Sequence, residues 1–294
     1  VPKFRLPDHV LDHDIDNIRA AGVEIKMNTP IGPDLTFDDI KAQGFKAIFV
    51  AIGQYEPLTL HLEGEDLPNV HTAINFLVDR KYRYWDSIDE FKGQTIGILG
   101  GGPVAIDVAQ TALRLGAEKA ILVEIRNKKQ LELARKDIPD NEKKYIEYKY
   151  NTNTEKFTQN AAGKLIFNCH KVKQEKSENG RTQFNKIQGS EYSFTVDTVV
   201  IAIGQTVESN YLDAASNNSL KTNRNKIIVD EITFETNIPG VFAGGDIIER
   251  GKNVAVAAIA HGREAAYSIN RYLKNKDLKA GRVNRSKMFF HPIL

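Results

Sequence analysis

The chain has 294 residues, of which 27% are charged, and its formal net charge is only +2. This length suffices for two ordinary domains with a sizeable core. The near-neutral charge argues against a nucleic-acid partner. No apolar run approaches the ~20 residues of a membrane span, so no membrane partner is expected.

Cysteine and histidine usage narrows the chemistry further. Cys169 is the single cysteine, which excludes an internal disulfide, a Cys-x-x-Cys pair and a four-cysteine iron–sulfur site within this chain. No activating pattern surrounds it, so we interpret it as an ordinary strand cysteine. The seven histidines show no ligand spacing, and we predict no metal site. Without a signal-peptide pattern, the expected setting is cytoplasmic.

The first predicted elements are short. Apolar positions from Leu11 predict an amphipathic helix that ends at Gly22. Val23–Met27 alternates as a strand does. Thr36-Phe-Asp-Asp39 has the capping-box pattern that opens a short helix, and Lys46–Ala51 reads as a further strand.

The tetrapeptide Ala-Ile-Gly-Gln occurs twice, at residues 51–54 and 202–205, each time after an apolar strand. A match of four residues can arise by chance. Two strands that end in the same glycine turn, on either side of the central segment, favour crossing points between two domains instead. Gly53 and Gly204 are therefore candidate cofactor-site residues at these crossings.

The central stretch, Thr95–Glu124, has the order of a dinucleotide-binding βαβ unit. An apolar strand is followed by Gly100, Gly102 and Ala105 in the pattern G-x-G-x-x-A, and a helix with apolar residues at helical spacing ends at Gly116. The first glycine permits a tight turn, the second lets the backbone approach a pyrophosphate, and the small third residue lets helix and strand pack closely. A bland glycine-rich turn is the alternative, and the full strand–loop–helix–strand order favours the dinucleotide site.

The second strand of this unit, Ala120–Val123, ends at Glu124, where an acid hydrogen-bonds the adenosine ribose of NAD. A carboxylate there also repels the 2′-phosphate of NADP. Arg126, and less so Lys128 or Arg135, could instead clamp that phosphate. The sequence favours NADH, because the acid occupies the strand tip while the bases lie further into the loop.

The segment after the tip is polar and irregular over Asn127–Glu155, which we interpret as surface. Three alternating stretches follow and predict a β-meander that returns to the second crossing point: Leu165–Val172, Thr182–Gly189 and Tyr192–Ile203.

The last motif is the run Gly244-Gly245-Asp246, which follows the apolar strand Val241–Ala243. Glycines permit close ligand approach, and a carboxylate accepts hydrogen bonds from sugar or ribityl hydroxyls. A helix is predicted from about Asn253 to Leu273, and its N-terminus offers positive potential to an electron-rich ring. A turn that merely caps this helix is the alternative.

Together these motifs resemble the flavoproteins with two dinucleotide domains. Within them, the chain resembles the small (β) subunit of glutamate synthase and also the flavin/NADPH part of dihydropyrimidine dehydrogenase. The matching segments run through almost the whole chain: VPKFRLP, FKAIFVAIGQ, LEGEDLPNV, ILGGGPVAIDVAQTALRLGA, DTVVIAIGQT, TNIPGVFAGGDI and VAVAAIAHGREAA.

The resemblance implies an α/β fold in which a Rossmann-like NAD(P)-binding domain, residues 73–205, is inserted into an incomplete FAD-binding domain, residues 1–72 and 206–294. The nicotinamide cofactor's pyrophosphate would lie against Gly100, Gly102, Pro103 and Val104. FAD would contact Gly245 and Asp246, and the helix starting near Val254 would point at the flavin ring.

The resemblance also implies an electron-input module that passes hydride from NAD(P)H to FAD and electrons onward to iron–sulfur centres or a partner subunit. The flavin accepts hydride directly, so no catalytic residue is assigned. The family's first flavin-binding βαβ unit is not in this sequence. We therefore expect an upstream segment or another chain to complete the flavin site. The alternative is a non-catalytic nucleotide-binding or assembly subunit.

Overall fold

The computed structural model describes residues 1–83, 89–177, 179, 181–207, 209–249, 251 and 253–283. These form two compact units. Unit 1 comprises Val1–Glu24 and Pro57–Gly204, and unit 2 comprises Ile25–Glu56 and the described residues from Gln205 onward. The end of the predicted C-terminal tail, residues 284–294, lies outside the described residues.

The α-helices are α1 (Asp8–Ala20), α2 (Phe37–Ala42), α3 (Ala73–Arg83), α4 (Pro103–Arg114), α5 (Glu132–Arg135), α6 (Asp140–Lys143), α7 (Ser209–Ala215) and α8 (Ala255–Leu273). The strands are β1 (Ile48–Val50), β2 (Glu56–Pro57), β3 (Val70–Thr72), β4 (Thr95–Leu99), β5 (Lys119–Val123), β6 (Ile146–Lys149), β7 (Thr152–Gln159), β8 (Leu165–Lys176), β9 (Thr182–Lys186), β10 (Tyr192–Val196), β11 (Thr198–Ile201), β12 (Gln205–Thr206), β13 (Thr222–Asn223), β14 (Lys226–Ile227) and β15 (Val241–Ala243).

Unit 1 is built on a five-stranded parallel sheet in the order β3-β11-β4-β5-β6. Its three central strands, β11, β4 and β5, are short and largely apolar, as expected for a parallel sheet covered on both faces. Helices α3 and α4 cover one face, where Ile98, Ile106 and Leu122 are fully buried. The predicted βαβ order of β4, α4 and β5 is therefore present, with β4 and β5 adjacent and parallel.

The antiparallel strands β7, β8 and β10 cover the other face of this sheet. Phe157 and Phe167 meet edge to face there, with ring centroids 4.9 Å apart. A side chain at Gly97 would collide with the Phe167 ring, so this glycine lets the aromatic layer approach the sheet. Cys169 lies buried in β8 as predicted, and burial raises the pKa of its thiol to about 11.

The bounds of the two units differ from the predicted domain bounds. Val1–Glu24 belongs to unit 1, where the Arg5 side chain forms an ion pair with Asp107 of α4 and the Arg114 guanidinium lies 3.9 Å from the Phe4 ring centroid. Strand β3 also belongs to unit 1, because it pairs with β11. The assignment of each unit to a cofactor stays a prediction.

Unit 2 has a smaller scaffold. Strands β1 and β15 pair in parallel, β13 and β14 pair antiparallel, and helix α8 packs beside β15 over a core that includes Phe242 and Ala265. Thr36 and Asp39 form the predicted capping box at the start of α2.

Two sequence-based expectations on secondary structure were wrong. Val23–Met27 is not a strand: among the described residues no strand pairs with it, and an alternating pattern alone cannot supply that partner. The polar segment Asn127–Glu155 is not wholly irregular, since it contains β6 and the start of β7. Charged side chains on exposed positions masked the few buried positions, such as Ile146 and Thr154.

Candidate dinucleotide-binding sites

The glycine loop of unit 1, residues 100–105, begins with a position that only glycine can occupy. Gly100 has φ +122°, and a side chain there would collide with the carbonyl oxygen of Ala202. Its backbone N–H donates to the carbonyl of Val123, 2.8 Å away. The sharp turn predicted at the end of β4 is therefore held between β11 and β5.

The next glycine has a different environment. Gly102 is the N-cap of α4, with an extended backbone of φ −79° and ψ −175°. A Cβ placed there would have no neighbour closer than the Arg126 Nη2 atom at 3.9 Å. Pro103 opens the helix, so the free amides of its first turn begin at Val104. The loop thus combines open space with N–H donors at a helix N-terminus, which suits a pyrophosphate.

Glu124 lies at the tip of β5, with only 4% of its side chain exposed. Its Oε1 accepts hydrogen bonds from the backbone N–H and Nε of Arg126, both at 2.9 Å, and its Oε2 accepts one from Nη2 at 2.8 Å. This pairing raises the pKa of the Arg126 guanidinium. Glu124, the predicted ribose ligand, and Arg126, the alternative phosphate ligand, thus form one ion pair in which the guanidinium binds both carboxylate oxygens.

The other two candidate ligands for the 2′-phosphate, Lys128 and Arg135, do not take part in this ion pair. Lys128 is exposed, in a short 3₁₀ turn. The Arg135 guanidinium lies over the stacked rings of Tyr148 and Tyr150, 5.3 and 5.9 Å from their centroids. Burial raises the pKa of Tyr148. Arg126 is therefore the candidate cation nearest the glycine loop by the contacts observed.

The Gly244–Asp246 turn of unit 2 follows β15 directly. Gly245 has φ +79°, and its backbone N–H donates to Nδ1 of His261 on α8, 3.1 Å away. A Cβ at Gly244 would lie 2.9 Å from both His261 Cβ and Phe49 Cζ. The His261 side chain is buried and also fixes the turn, a role that no local sequence pattern reveals.

The first Ala-Ile-Gly-Gln copy contacts this turn as well. Gln54 follows Gly53, which has φ +68°, and its Nε2 donates to the Asp246 carbonyl at 3.0 Å. In the described part of the chain, no hydrogen bond or ion pair engages the Asp246 carboxylate. In the second copy, Ala202 abuts Gly100, and Gly204 has φ +124°. Each copy therefore touches the glycine motif of its own unit, which the sequence did not predict.

Helix α8 begins at Ala255, with Val254 as an N-cap that makes no side-chain capping bond. Its first turn carries no acidic residue, so the positive potential of the helix end is not neutralised locally.

Within the described ranges, no helix has the length and apolar character to cross a membrane. No cluster of potential metal ligands occurs among those residues either.

The chain is similar to subunits of known oxidoreductases. It is 32% identical over 277 residues to the NADP(+)-dependent formate dehydrogenase subunit beta of Moorella thermoacetica, covering 93% of this chain and 38% of that protein. It is 29% identical over 288 residues to the glutamate synthase [NADPH] small chain of Escherichia coli, covering 93% of this chain and 60% of that one. The chain therefore spans less than two thirds of the length of these relatives, and the resemblance to the glutamate synthase small subunit is confirmed.

Solved structures share the fold. Mycobacterium tuberculosis FprA in complex with NADPH matches with a TM-score of 0.63 and 14% identity, covering 84% of this chain and 68% of that one. Lactococcus lactis thioredoxin reductase matches with a TM-score of 0.55 and 17% identity, covering 78% and 67%. These likenesses confirm the predicted α/β fold class. The family model for pyridine nucleotide-disulphide oxidoreductases matches residues 11–262, and the chain belongs to that family.

Proposed function

We propose that this chain is the electron-input part of a flavin oxidoreductase that takes hydride from NADPH and delivers electrons to iron–sulfur centres or a partner subunit. The observation that supports this proposal is the geometry of the glycine loop. The backbone at Gly100 packs tightly against the Ala202 carbonyl, whereas the space beside Gly102 is free for a ligand. The relatives' names, which specify NADPH or NADP(+), support it.

In unit 1, the loop would hold the nicotinamide cofactor. Gly102 leaves room for the pyrophosphate, and the amides of Val104 and Ala105 at the start of α4 point to it. Pro103 contributes its fixed φ rather than a donor. Gly100 and Gly204 would act through the backbone turns that they permit.

In unit 2, the Gly244–Asp246 turn would hold FAD. The Asp246 carboxylate, which no other described residue engages, can accept hydrogen bonds from hydroxyl groups. Gly53 and Gly245 permit the two turns there, and the N-terminus of α8 at Val254 would face the flavin ring. FAD, when bound, accepts the hydride directly. The residues of this chain therefore bind and orient, and none is assigned a proton transfer.

The flavin site needs a further segment. Helix α8 leaves Val256 and Ile259 69% and 74% exposed, and β1 leaves Phe49 36% exposed. Apolar side chains on a two-stranded parallel sheet and its helix favour burial by further structure. We propose that an upstream segment or another chain supplies it.

The nicotinamide cofactor is proposed to be NADPH, contrary to the NADH preference inferred from the sequence, which the comparisons do not support. The Glu124 carboxylate is buried and occupied by Arg126, so it is poorly placed to accept bonds from ribose hydroxyls.

The non-catalytic alternative is less well supported, because both glycine turns keep backbone geometry suited to cofactors. A cytoplasmic setting stays a prediction.

The test is a spectrum of the native, full-length protein with its partners, purified without added cofactor. Bound flavin that bleaches anaerobically on addition of NADPH supports the proposal. A protein that holds no flavin, or whose flavin is not reduced by either NADPH or NADH, contradicts it and supports the non-catalytic alternative. Comparing the catalytic efficiencies for the two nucleotides then decides the cofactor choice.

A further inference from the structure

The Glu124 carboxylate is buried, and three of its roughly four acceptor positions are taken by donors of Arg126. Both of its oxygens accept hydrogen bonds from Arg126, at 2.8 and 2.9 Å. The carboxylate also lies against the glycine loop, since a Cβ at Gly101 would be 2.9 Å from its Oε2. Loop and guanidinium together account for the 4% exposure of the side chain.

The Arg126 guanidinium is held along one edge and open along the other. Nε and Nη2 are bonded to Glu124, whereas Nη1 has no hydrogen-bond partner among the described residues. The side chain is 42% exposed, and Nη2 lies 3.9 Å from the position that a Gly102 Cβ would take. The free edge is therefore available to an anion beside the loop.

Holding the guanidinium in advance favours binding. A free arginine side chain carries about 2 kcal/mol of rotamer entropy, and part of that is lost whenever a ligand orders it. A chelated guanidinium has lost it already, so a phosphate that binds the free edge gains a larger net free energy. A planar guanidinium also matches the geometry of phosphate oxygens.

We propose that Glu124 is a positioning residue: it fixes the Arg126 guanidinium beside Gly102 so that Arg126 binds the 2′-phosphate of NADPH. This rests on the proposed function. It reverses the usual role of an acid at this strand tip, which binds the ribose of NAD and repels the 2′-phosphate.

The two roles predict opposite signs for one substitution. Glu124→Gln removes the negative charge and places an amide N–H₂ opposite Arg126 Nη2, so that the two-point chelation is lost. If Glu124 positions Arg126, the variant binds 2′,5′-ADP about tenfold to a hundredfold more weakly than the native protein. If Glu124 repels the phosphate, the variant binds this probe more tightly.

The experiment uses the full-length, flavin-loaded protein. Titration calorimetry gives the Kd for 2′,5′-ADP, and steady-state kinetics give KM and kcat for NADPH and NADH. We expect Glu124→Gln to raise the KM for NADPH with little change in kcat or in the KM for NADH. Glu147→Gln, which alters a paired carboxylate of β6, is the matched control and should change neither Kd nor KM.

Unchanged or tighter binding of 2′,5′-ADP by Glu124→Gln overturns the inference, and so does an equal loss of NADPH and NADH affinity, which would mean that Glu124 only supports the loop. If the native protein does not bind 2′,5′-ADP at all, the proposed NADPH use fails as well. Should Glu124→Gln not fold, Glu124→Asp carries the test, because it keeps the negative charge but is one methylene shorter and cannot hold Arg126 at the same two points; the same weakening is expected, and unchanged binding of 2′,5′-ADP would contradict the inference.

Discussion

The glycine loop of unit 1 and the Gly244–Asp246 turn of unit 2 each follow a buried strand and lead toward a helix, but they rest on different scaffolds. The loop sits at the end of β4 in a sheet of five parallel strands that is covered on both faces. The turn follows β15, which pairs with β1 in a sheet of only two strands.

Because of this difference, the two motifs differ in how many of their proposed binding groups are already in position. In unit 1 the backbone amides, the chelated Arg126 and the space at Gly102 are already in position. In unit 2 the turn is fixed by Gln54 and His261, yet apolar side chains of α8 stay exposed beside it. We infer that the proposed nicotinamide site is preformed and that the proposed flavin site depends on structure supplied from elsewhere.

The largest expected effect is a loss of unfolding free energy on substitution of Gly100, in the turn at the start of the glycine loop. Gly100→Ala combines a strained φ of +122° with a collision against the Ala202 carbonyl, so we expect a loss of about 3 kcal/mol or more in unfolding free energy. Gly93→Ala has the strain, at φ +71°, but nothing within 4 Å, and should cost only about 1 kcal/mol. Urea unfolding of both variants measures the two losses of unfolding free energy. Equal losses would show that the backbone around residue 100 shifts to avoid the collision.

The neighbouring glycine should give the converse result. Gly102→Val meets no strained φ and no close neighbour, so its melting temperature should stay near that of the native protein. Its side chain would occupy the space proposed for the pyrophosphate, and we expect NADPH affinity to fall about a hundredfold, roughly 2.7 kcal/mol. Unchanged affinity by titration would remove the loop from the binding site.

The sequence predicted the parts of these sites that depend on local chemistry. The strand, glycines and helix of unit 1 lie adjacent in the chain, and the requirement for glycine at position 100 follows from the turn itself. The Gly244–Asp246 turn before a long helix was predicted for the same reason.

The missed features depend on contacts between distant residues. Gln54 reaches Asp246 across 192 positions, and His261 reaches Gly245 from within a helix whose pattern shows only that the position can be buried. The burial of Glu124 requires the closed loop around Gly101. The sequence placed Glu124 at the strand tip and Arg126 in the loop that follows, but it could not show that they would bind each other.

A moderate effect is expected at the proposed flavin site. In the complete flavin-containing protein, Asp246→Ala should weaken flavin binding about tenfold, about 1.4 kcal/mol, because a carboxylate that accepts hydroxyl hydrogen bonds is removed. Flavin content per chain after dilution measures this. Binding of 2′,5′-ADP to the same variant is the control and should not change. Normal flavin content with weaker nucleotide binding would reverse the assignment of the two units.

The smallest expected effect tests the stability of unit 2 alone, through Asp230. Burial raises the pKa of this carboxyl, but hydrogen bonds from Lys279 and from the backbone amides of Thr233 and Ile232 outweigh that effect and lower the pKa to about 2. The pKa in the folded state is thus below the ordinary value of 3.8. The ionised form therefore stabilises the fold above about pH 4, and this contribution is lost as pH falls toward 2.

Asp230→Asn keeps an oxygen that accepts the two backbone hydrogen bonds and removes only the charge that faces Lys279. Because the Asp230 side chain is 33% exposed, solvent screening reduces the expected loss to about 1 kcal/mol at pH 7. The difference from the native protein should shrink toward zero near pH 1.5, below the folded-state pKa of about 2, since other carboxyl groups titrate alike in both proteins. Urea unfolding at the two pH values measures this, with the exposed Asp34→Asn as control. A difference that persists at acid pH would mean that hydrogen-bond geometry, rather than charge, stabilises this corner of unit 2.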